Sequence, residues 1–179
     1  MHKGQHLAIE LFNQKKWQER PIQLHLYGEG YDEKVLKDMV KKYGLNNVFF
    51  HSHTQDLLTI WRDNHAIFMP SFMEGLPLVL VGAMICARVP ILTDIGAHRE
   101  VVDDNINGFI AAKPTVEALD EALERAYQES DAWEEMGKRA RKKILAYLPP
   151  NDPVDDFISK ILPIASSREK LQFEMQVAH

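Results

Sequence analysis

The residues best placed to do chemistry lie between Ala66 and Ala112, centred on Pro70-Ser71-Phe72-Met73-Glu74-Gly75-Leu76-Pro77. A short apolar run, Ala66-Ile67-Phe68-Met69, ends at Pro70. An acidic residue and a glycine follow, and Pro77 opens an apolar stretch from Leu78 to Ala87. Proline suits the first helical position, because the N–H it lacks would have no partner there. The stretch therefore reads as strand, tight loop and helix, with Glu74 at the mouth of the turn. Unpaired N–H groups at a helix start attract anions, and Gly75 lets a ligand approach the backbone closely. A carboxylate in the same loop repels a phosphate but suits sugar hydroxyls. Together these features fit a ligand that carries both kinds of group.

The elements that must position this turn alternate between strand-like and helix-like. Ile22 to Tyr27, Val48 to His51, Ala66 to Met69, Val89 to Thr93 and Phe109 to Ala112 read as five strands. Four segments have helical spacing. His6 to Lys16 carries Leu7, Ile9, Leu11 and Phe12. Asp32 to Tyr43 turns Val35, Met39 and Val40 inward and stops near Gly44; Thr54 to Asn64 is capped by Thr54, and Thr115 to Gln128 by Thr115. Such alternation predicts a parallel sheet with helices on both faces. Beyond Gln128 the pattern is helical. Asp131 to Tyr147 sets Trp133, Met136, Ala140 and Ile144 on one stripe, Pro149-Pro150-Asn151-Asp152-Pro153 interrupts it, and Val154 to Ile164 reads as a second helix. The organisation expected is an α/β domain over residues 1–128, helices packing on it over 129–166, and a tail over 167–179.

A chain of 179 residues, 45% hydrophobic and 26% charged, can build its own core. A net charge of -5 and a pI near 5.9 argue against a nucleic-acid-binding domain, which is usually basic. The single cysteine, Cys86, excludes an internal disulfide and reads as a buried inert thiol among Ala83, Met84, Ile85 and Ala87. Glu10 interrupts the only early apolar run, so no signal peptide is expected, and no run is long enough for a membrane span. A cytoplasmic location is the expectation, with peripheral membrane contact left open.

Six motifs carry a more specific resemblance. Pro70-Ser71, Glu74-Gly75-Leu76-Pro77, Ala83-Met84, Val89-Pro90-Ile91-Leu92-Thr93-Asp94-Ile95-Gly96, Glu100-Val101-Val102 and Asn107-Gly108-Phe109 resemble, in order and spacing, the retaining glycosyltransferases of family 4. The resemblance runs from about Lys3 to about Tyr127. It implies the two-domain GT-B fold and places these motifs in its C-terminal, donor-binding half, a Rossmann-like doubly wound parallel sheet. It also implies a nucleotide diphosphate sugar as donor, an acceptor held by an N-terminal domain, transfer with retained configuration, and neither metal nor cofactor.

Carried over residue by residue, Lys3 matches the lysine that contacts the diphosphate. Glu74 matches the first glutamate of the family's Glu, seven residues, Glu motif, which meets hydroxyls of the donor sugar. The amides of Gly75 and Leu76 would face sugar and phosphate, with Ser71, Pro77 and the His51 loop around the nucleotide. The alternatives are a solvated surface lysine and a loop carboxylate that complements the helix start. The second glutamate of the motif, which would hold the ribose, is replaced by Gly82. A hydrogen bond to a charged group is worth about 1.5–3 kcal/mol, so its loss predicts weaker donor binding. Gly82 inside a helix also costs about 1 kcal/mol relative to alanine.

The remaining candidates are weaker. Gly28-Glu29-Gly30 is not a full dinucleotide fingerprint, and His51-Ser52-His53 lacks a third metal ligand. Gly96-Ala97-His98-Arg99-Glu100 borders the donor site in relatives, with Glu100 read as structural. Arg88 stands where relatives carry glycine, which leaves the end of that helix open.

In the relatives a strand and an arginine-bearing turn precede the Lys-Gly pair that is Lys3-Gly4 here; Met1-His2 stands in their place. That strand is central in a doubly wound sheet. Buried backbone groups left unpaired cost about 1–3 kcal/mol each, against a total stability of about 5–15 kcal/mol. The chain alone is therefore expected to be marginal and inactive, and to be completed by an N-terminal acceptor domain or a partner chain. The function expected is the donor-binding part of a hexosyl-type transferase acting on a glycan or lipid-linked acceptor, bacterial surface polysaccharide assembly being a common role of relatives. The alternative is a non-catalytic remnant or partner-dependent nucleotide-sugar-binding module. A GT-B sugar-nucleotide epimerase is a third class, which the motif set disfavours.

Overall fold

In a computed structural model of the chain, which describes residues 2–54, 56–150 and 159, strands and helices alternate as the sequence predicts. The strands are β1 (Leu24–Tyr27), β2 (Val48–His51), β3 (Ala66–Met69), β4 (Val89–Thr93) and β5 (Phe109–Ala111). The helices are α1 (Gln5–Phe12), α2 (Lys15–Glu19), α3 (Glu33–Tyr43), α4 (Leu57–Asp63), α5 (Leu78–Ile85), α6 (His98–Val101), α7 (Val116–Gln128) and α8 (Trp133–Tyr147). The described residues up to Leu145 form one compact unit. The predicted helix Val154–Ile164 lies outside the described residues, apart from Ser159.

Every strand pair is parallel, but the five strands fall into two sheets, β1–β2 and β3–β4–β5. Among the described residues, the free edges of β1 and β3 pair with no other strand. One hydrophobic core nevertheless joins the two sheets. It takes Leu24 and Val48 from one, Val89, Ile91, Phe109 and Ala111 from the other, and Ala8, Ile9, Leu11 and Phe12 from α1. Helix α1 packs on α3, the crossover between β1 and β2, and on α7, which lies against β4 and β5. It thus bridges the interval where the sheets do not bond. A second core covers the other face of β3–β4–β5, with Ile60 and Trp61 of α4, Leu80, Ala83 and Met84 of α5, and Ala140 and Ile144 of α8.

Several local expectations are corrected. The predicted helix His6 to Lys16 breaks at Asn13 into α1 and α2. In α3 the inward residue is Leu36, while Val35 is exposed; Leu36, Met39, Val40 and Tyr43 make the i, i+3, i+4, i+7 stripe that meets the core. The cap of α4 is Asp56, whose carboxylate accepts from the Thr59 amide at 3.0 Å, and not Thr54, whose hydroxyl accepts from the Asp56 amide. Pro77 stands at the cap of α5, in extended conformation, one residue before the first helical position. Helix α5 ends at Ile85; Ala87 follows with φ 56°, and the Arg88 amide donates back to the Ala83 carbonyl. Cys86 is half-buried at that helix end, packed against the second core rather than sealed inside it.

Candidate functional site

Three chain segments meet at the carboxyl ends of β3 and β4, where ligands bind open α/β sheets. They are His2–Gly4, the turn 70–77 after β3, and the loop 94–98 after β4. Backbone contacts hold them together. The Phe72 amide donates to the His2 carbonyl at 2.9 Å, and the Ala97 amide donates to the Gly75 carbonyl at 3.2 Å.

Two glycines make these approaches sterically feasible. Gly4 has φ 67°, and a Cβ there would lie 1.9 Å from the Pro70 carbonyl oxygen. Gly96 has φ 51°, and its Cβ would lie 2.1 Å from the carbonyl oxygen of Glu74. Only a residue without a side chain fits both the backbone angle and the distance. Beneath the turn, the Thr93 hydroxyl donates to the Ser71 carbonyl at 2.7 Å, and the buried His98 ring meets the Thr93 carbonyl through Nδ1 at 2.8 Å. His98 Nε2 is buried without a hydrogen-bond partner among the described residues.

Within this frame Lys3 and Glu74, 71 positions apart in the chain, form an ion pair with Nζ 2.6 Å from Oε1. The two members differ in setting. The Glu74 side chain is 10% exposed and that of Lys3 57% exposed, so the carboxylate is shielded and the lysine faces solvent. His6, on the first turn of α1, stacks on Phe72 with ring centroids 5.8 Å apart, closing one flank of the turn. A Cβ on Gly75 would meet nothing within 4 Å, so the backbone there is open to an approaching group. The site can therefore offer one cation, one carboxylate and the open backbone of Gly75.

The other predicted residues divide. Ser71 is buried, and its carbonyl serves the architecture of the turn. Leu76 packs on the second core, and Pro77 leads into α5. Gly82 lies further along α5, and a Cβ there would stand 3.5 Å from Trp61 Nε1, a buried donor with no partner among the described residues. The indole thus lies beside the space that a longer side chain at position 82 would enter. His51 ends β2 in the other sheet, where its Nε2 lies 2.8 Å from His25 Nδ1 and its ring stacks on Tyr27 at 4.5 Å. Burial and the neighbouring His51 hold His25 below its ordinary pKa. No group of three or more His, Cys, Asp or Glu suited to a metal occurs among the described residues. A surface hollow of about 450 Å³ lined by Gly30, Tyr31, Glu33, Lys34, Lys37 and Asp38 shares no residue with the site.

Sequence reasoning did not find the clamping roles of Gly4 and Gly96, nor the Thr93–His98 support. Both glycines were visible, but what each must approach closely is set by the fold.

Parallel strands covered by helices, with an acidic turn after the edge strand β3, define the class: this is the C-terminal-like half of a GT-B glycosyltransferase. The family model for glycosyl transferases group 1 matches residues 1–143, and the chain belongs to that family. EpsD of Bacillus subtilis (strain 168), which carries a glycosyltransferase name, is 25% identical over 148 residues, covering 82% of this chain and 39% of EpsD. Among solved structures, a TarM variant from S. aureus in complex with fondaparinux, alpha-GlcNAc-glycerol and UDP matches with a TM-score of 0.79 at 23% identity, over 92% of this chain and 33% of that one. The C-terminal domain of a glycosyl transferase group 1 family protein (LpcC) from Francisella tularensis matches with a TM-score of 0.70 at 19% identity, over 81% of this chain and 79% of that domain. The chain spans about two fifths of EpsD's length. No described helix is long and apolar enough to cross a membrane.

Proposed function

We propose that this chain is the donor-binding part of a retaining glycosyltransferase, which moves a sugar from a nucleotide diphosphate sugar to a glycan or lipid-linked acceptor without a metal. The observation that carries the reading is the Lys3–Glu74 pair at the carboxyl ends of the strands. Leaving-group charge is best met by donors already in place, and Lys3 supplies such a cation for the diphosphate. Glu74 accepts hydrogen bonds from donor-sugar hydroxyls near the reacting carbon, and the open backbone at Gly75 and Leu76 offers amides to sugar and phosphate. Ser71 and Pro77 shape the turn around the nucleotide, with the His51 loop toward its base.

The TarM complex containing UDP supports a nucleotide donor by likeness of fold. The acceptor, and any group that polarises it, comes from the other domain of the two-domain fold or from a partner chain. The setting is cytoplasmic, facing nucleotide sugars.

Calorimetry with UDP, GDP and their sugars tests the reading. Micromolar binding of a sugar nucleotide, weakened by Glu74→Ala, is expected, together with no transfer to acceptors by the chain alone. A folded sample that binds none of these ligands overturns it. Gly82 favours a second reading, a partner-dependent binding module without catalysis. Robust transfer by a complex containing this chain would exclude that.

A further inference from the structure

Resting on the proposed function, we infer that Glu74 discriminates between the sugar nucleotide and the bare nucleoside diphosphate left after transfer, and does so by opposing the latter. The two groups assigned to phosphate and to sugar spend their charge on each other, Nζ to Oε1 at 2.6 Å. The carboxylate is nine-tenths buried, held on a turn clamped by Gly4 and Gly96, so it cannot retreat when its cation is drawn elsewhere. Uncovering a buried carboxylate is expensive, whereas a half-exposed lysine redirects easily. A diphosphate that recruits Lys3 therefore leaves Glu74 short of its partner and adds a like charge close by.

Only a ligand that brings its own donors to the carboxylate cancels that penalty. Hydroxyls of the donor sugar do so, because O–H groups donate to a carboxylate in charge-assisted hydrogen bonds. A bare nucleoside diphosphate brings acceptors only at that end. Glu74 would thus favour the substrate over its own product and speed departure of the product. This is a specificity role distinct from simply contacting the sugar, and it inverts the expected sign of one mutation. Removing the charge should strengthen binding of the product.

The test is calorimetry of the full chain with UDP and UDP-glucose, GDP and GDP-mannose, and uridine and guanosine as phosphate-free controls. Glu74→Gln is expected to tighten the bound nucleoside diphosphate about three- to tenfold, to weaken its sugar nucleotide by a similar factor, and to leave the nucleoside unchanged, as a charge-assisted bond to hydroxyls is lost and a repulsion relieved. Glu74→Asp, which keeps the charge, should keep the discrimination. In the unmutated chain the sugar nucleotide should bind more tightly than its bare diphosphate; this arm needs no folded variant. If Glu74→Gln leaves the diphosphate unchanged or weakens it, or if the unmutated chain binds the diphosphate at least as tightly as its sugar nucleotide, the discrimination role is wrong while the donor-site reading stands. If the folded chain binds none of these nucleotides, both fall.

Discussion

The three-stranded and two-stranded halves of the molecule differ in what covers them. All five residues of β4 and all three of β5 are buried, because helices cover both faces. In β1 and β2 only Leu24 and Val48 are buried; Tyr27 is 39% and Phe49 36% exposed. Their outer face is a stack of rings, with His25 on Phe49 at 5.0 Å and on His51 at 5.1 Å. Strands covered on both faces read as continuous apolar runs, and strands covered on one face alternate. The candidate site hangs on the three-stranded half, at the ends of β3, whose Ile67 and Met69 are buried, and of the wholly buried β4. The other half is held to it through α1 and a shared core rather than through strand pairing.

On that contrast, deletions of the same size should cost unequal amounts. Leu92→Ala, in the doubly covered β4, should destabilise by about 2–5 kcal/mol in urea unfolding, and Leu26→Ala, in half-covered β1, by less than half of that. Equal losses would break the comparison.

The next effect concerns the clamp. Gly96→Ala should cost about 1–3 kcal/mol from left-handed strain, more as its Cβ meets the Glu74 carbonyl oxygen, and should lower Tm. Gly30→Ala, beyond β1, meets nothing within 4 Å and should leave Tm unchanged. A smaller effect of opposite sign is expected at Gly82→Ala, where the new methyl stands 3.5 Å from Trp61 Nε1. Removing a helical glycine should raise stability by about 0.5–1 kcal/mol.

Acid separates the halves by window. His25 sits below its ordinary 6.5, so the folded state binds fewer protons than the unfolded one. Its contribution is full above 6.5 and is lost as pH falls through the depressed value. Glu124 is pulled from 4.5 to about 2, first by its hydrogen bonds from Arg20, which tie α2 to α7 together with Lys16. That contribution is full above 4.5 and is lost as pH falls through about 2. Tm against pH should therefore drop in two stages. His25→Phe should flatten the upper stage and Glu124→Gln the lower, and survival of both stages in either variant would count against the assignment.

The sequence by itself determined the order of the five strands and of most helices between them, their parallel sense and the acidic turn between β3 and α5. These follow from period, breakers and local caps, which act over a few residues. Motif order over the same stretch was enough to point to the family. Glu74 was a candidate from the turn's own chemistry as well as from resemblance, and Lys3 from resemblance alone. Only the tertiary structure decided that they touch, that Gly4 and Gly96 are the residues that let the segments close, and that five parallel strands divide into two sheets. Each depends on contacts across tens of residues, where distance along the chain carries no information about distance in space.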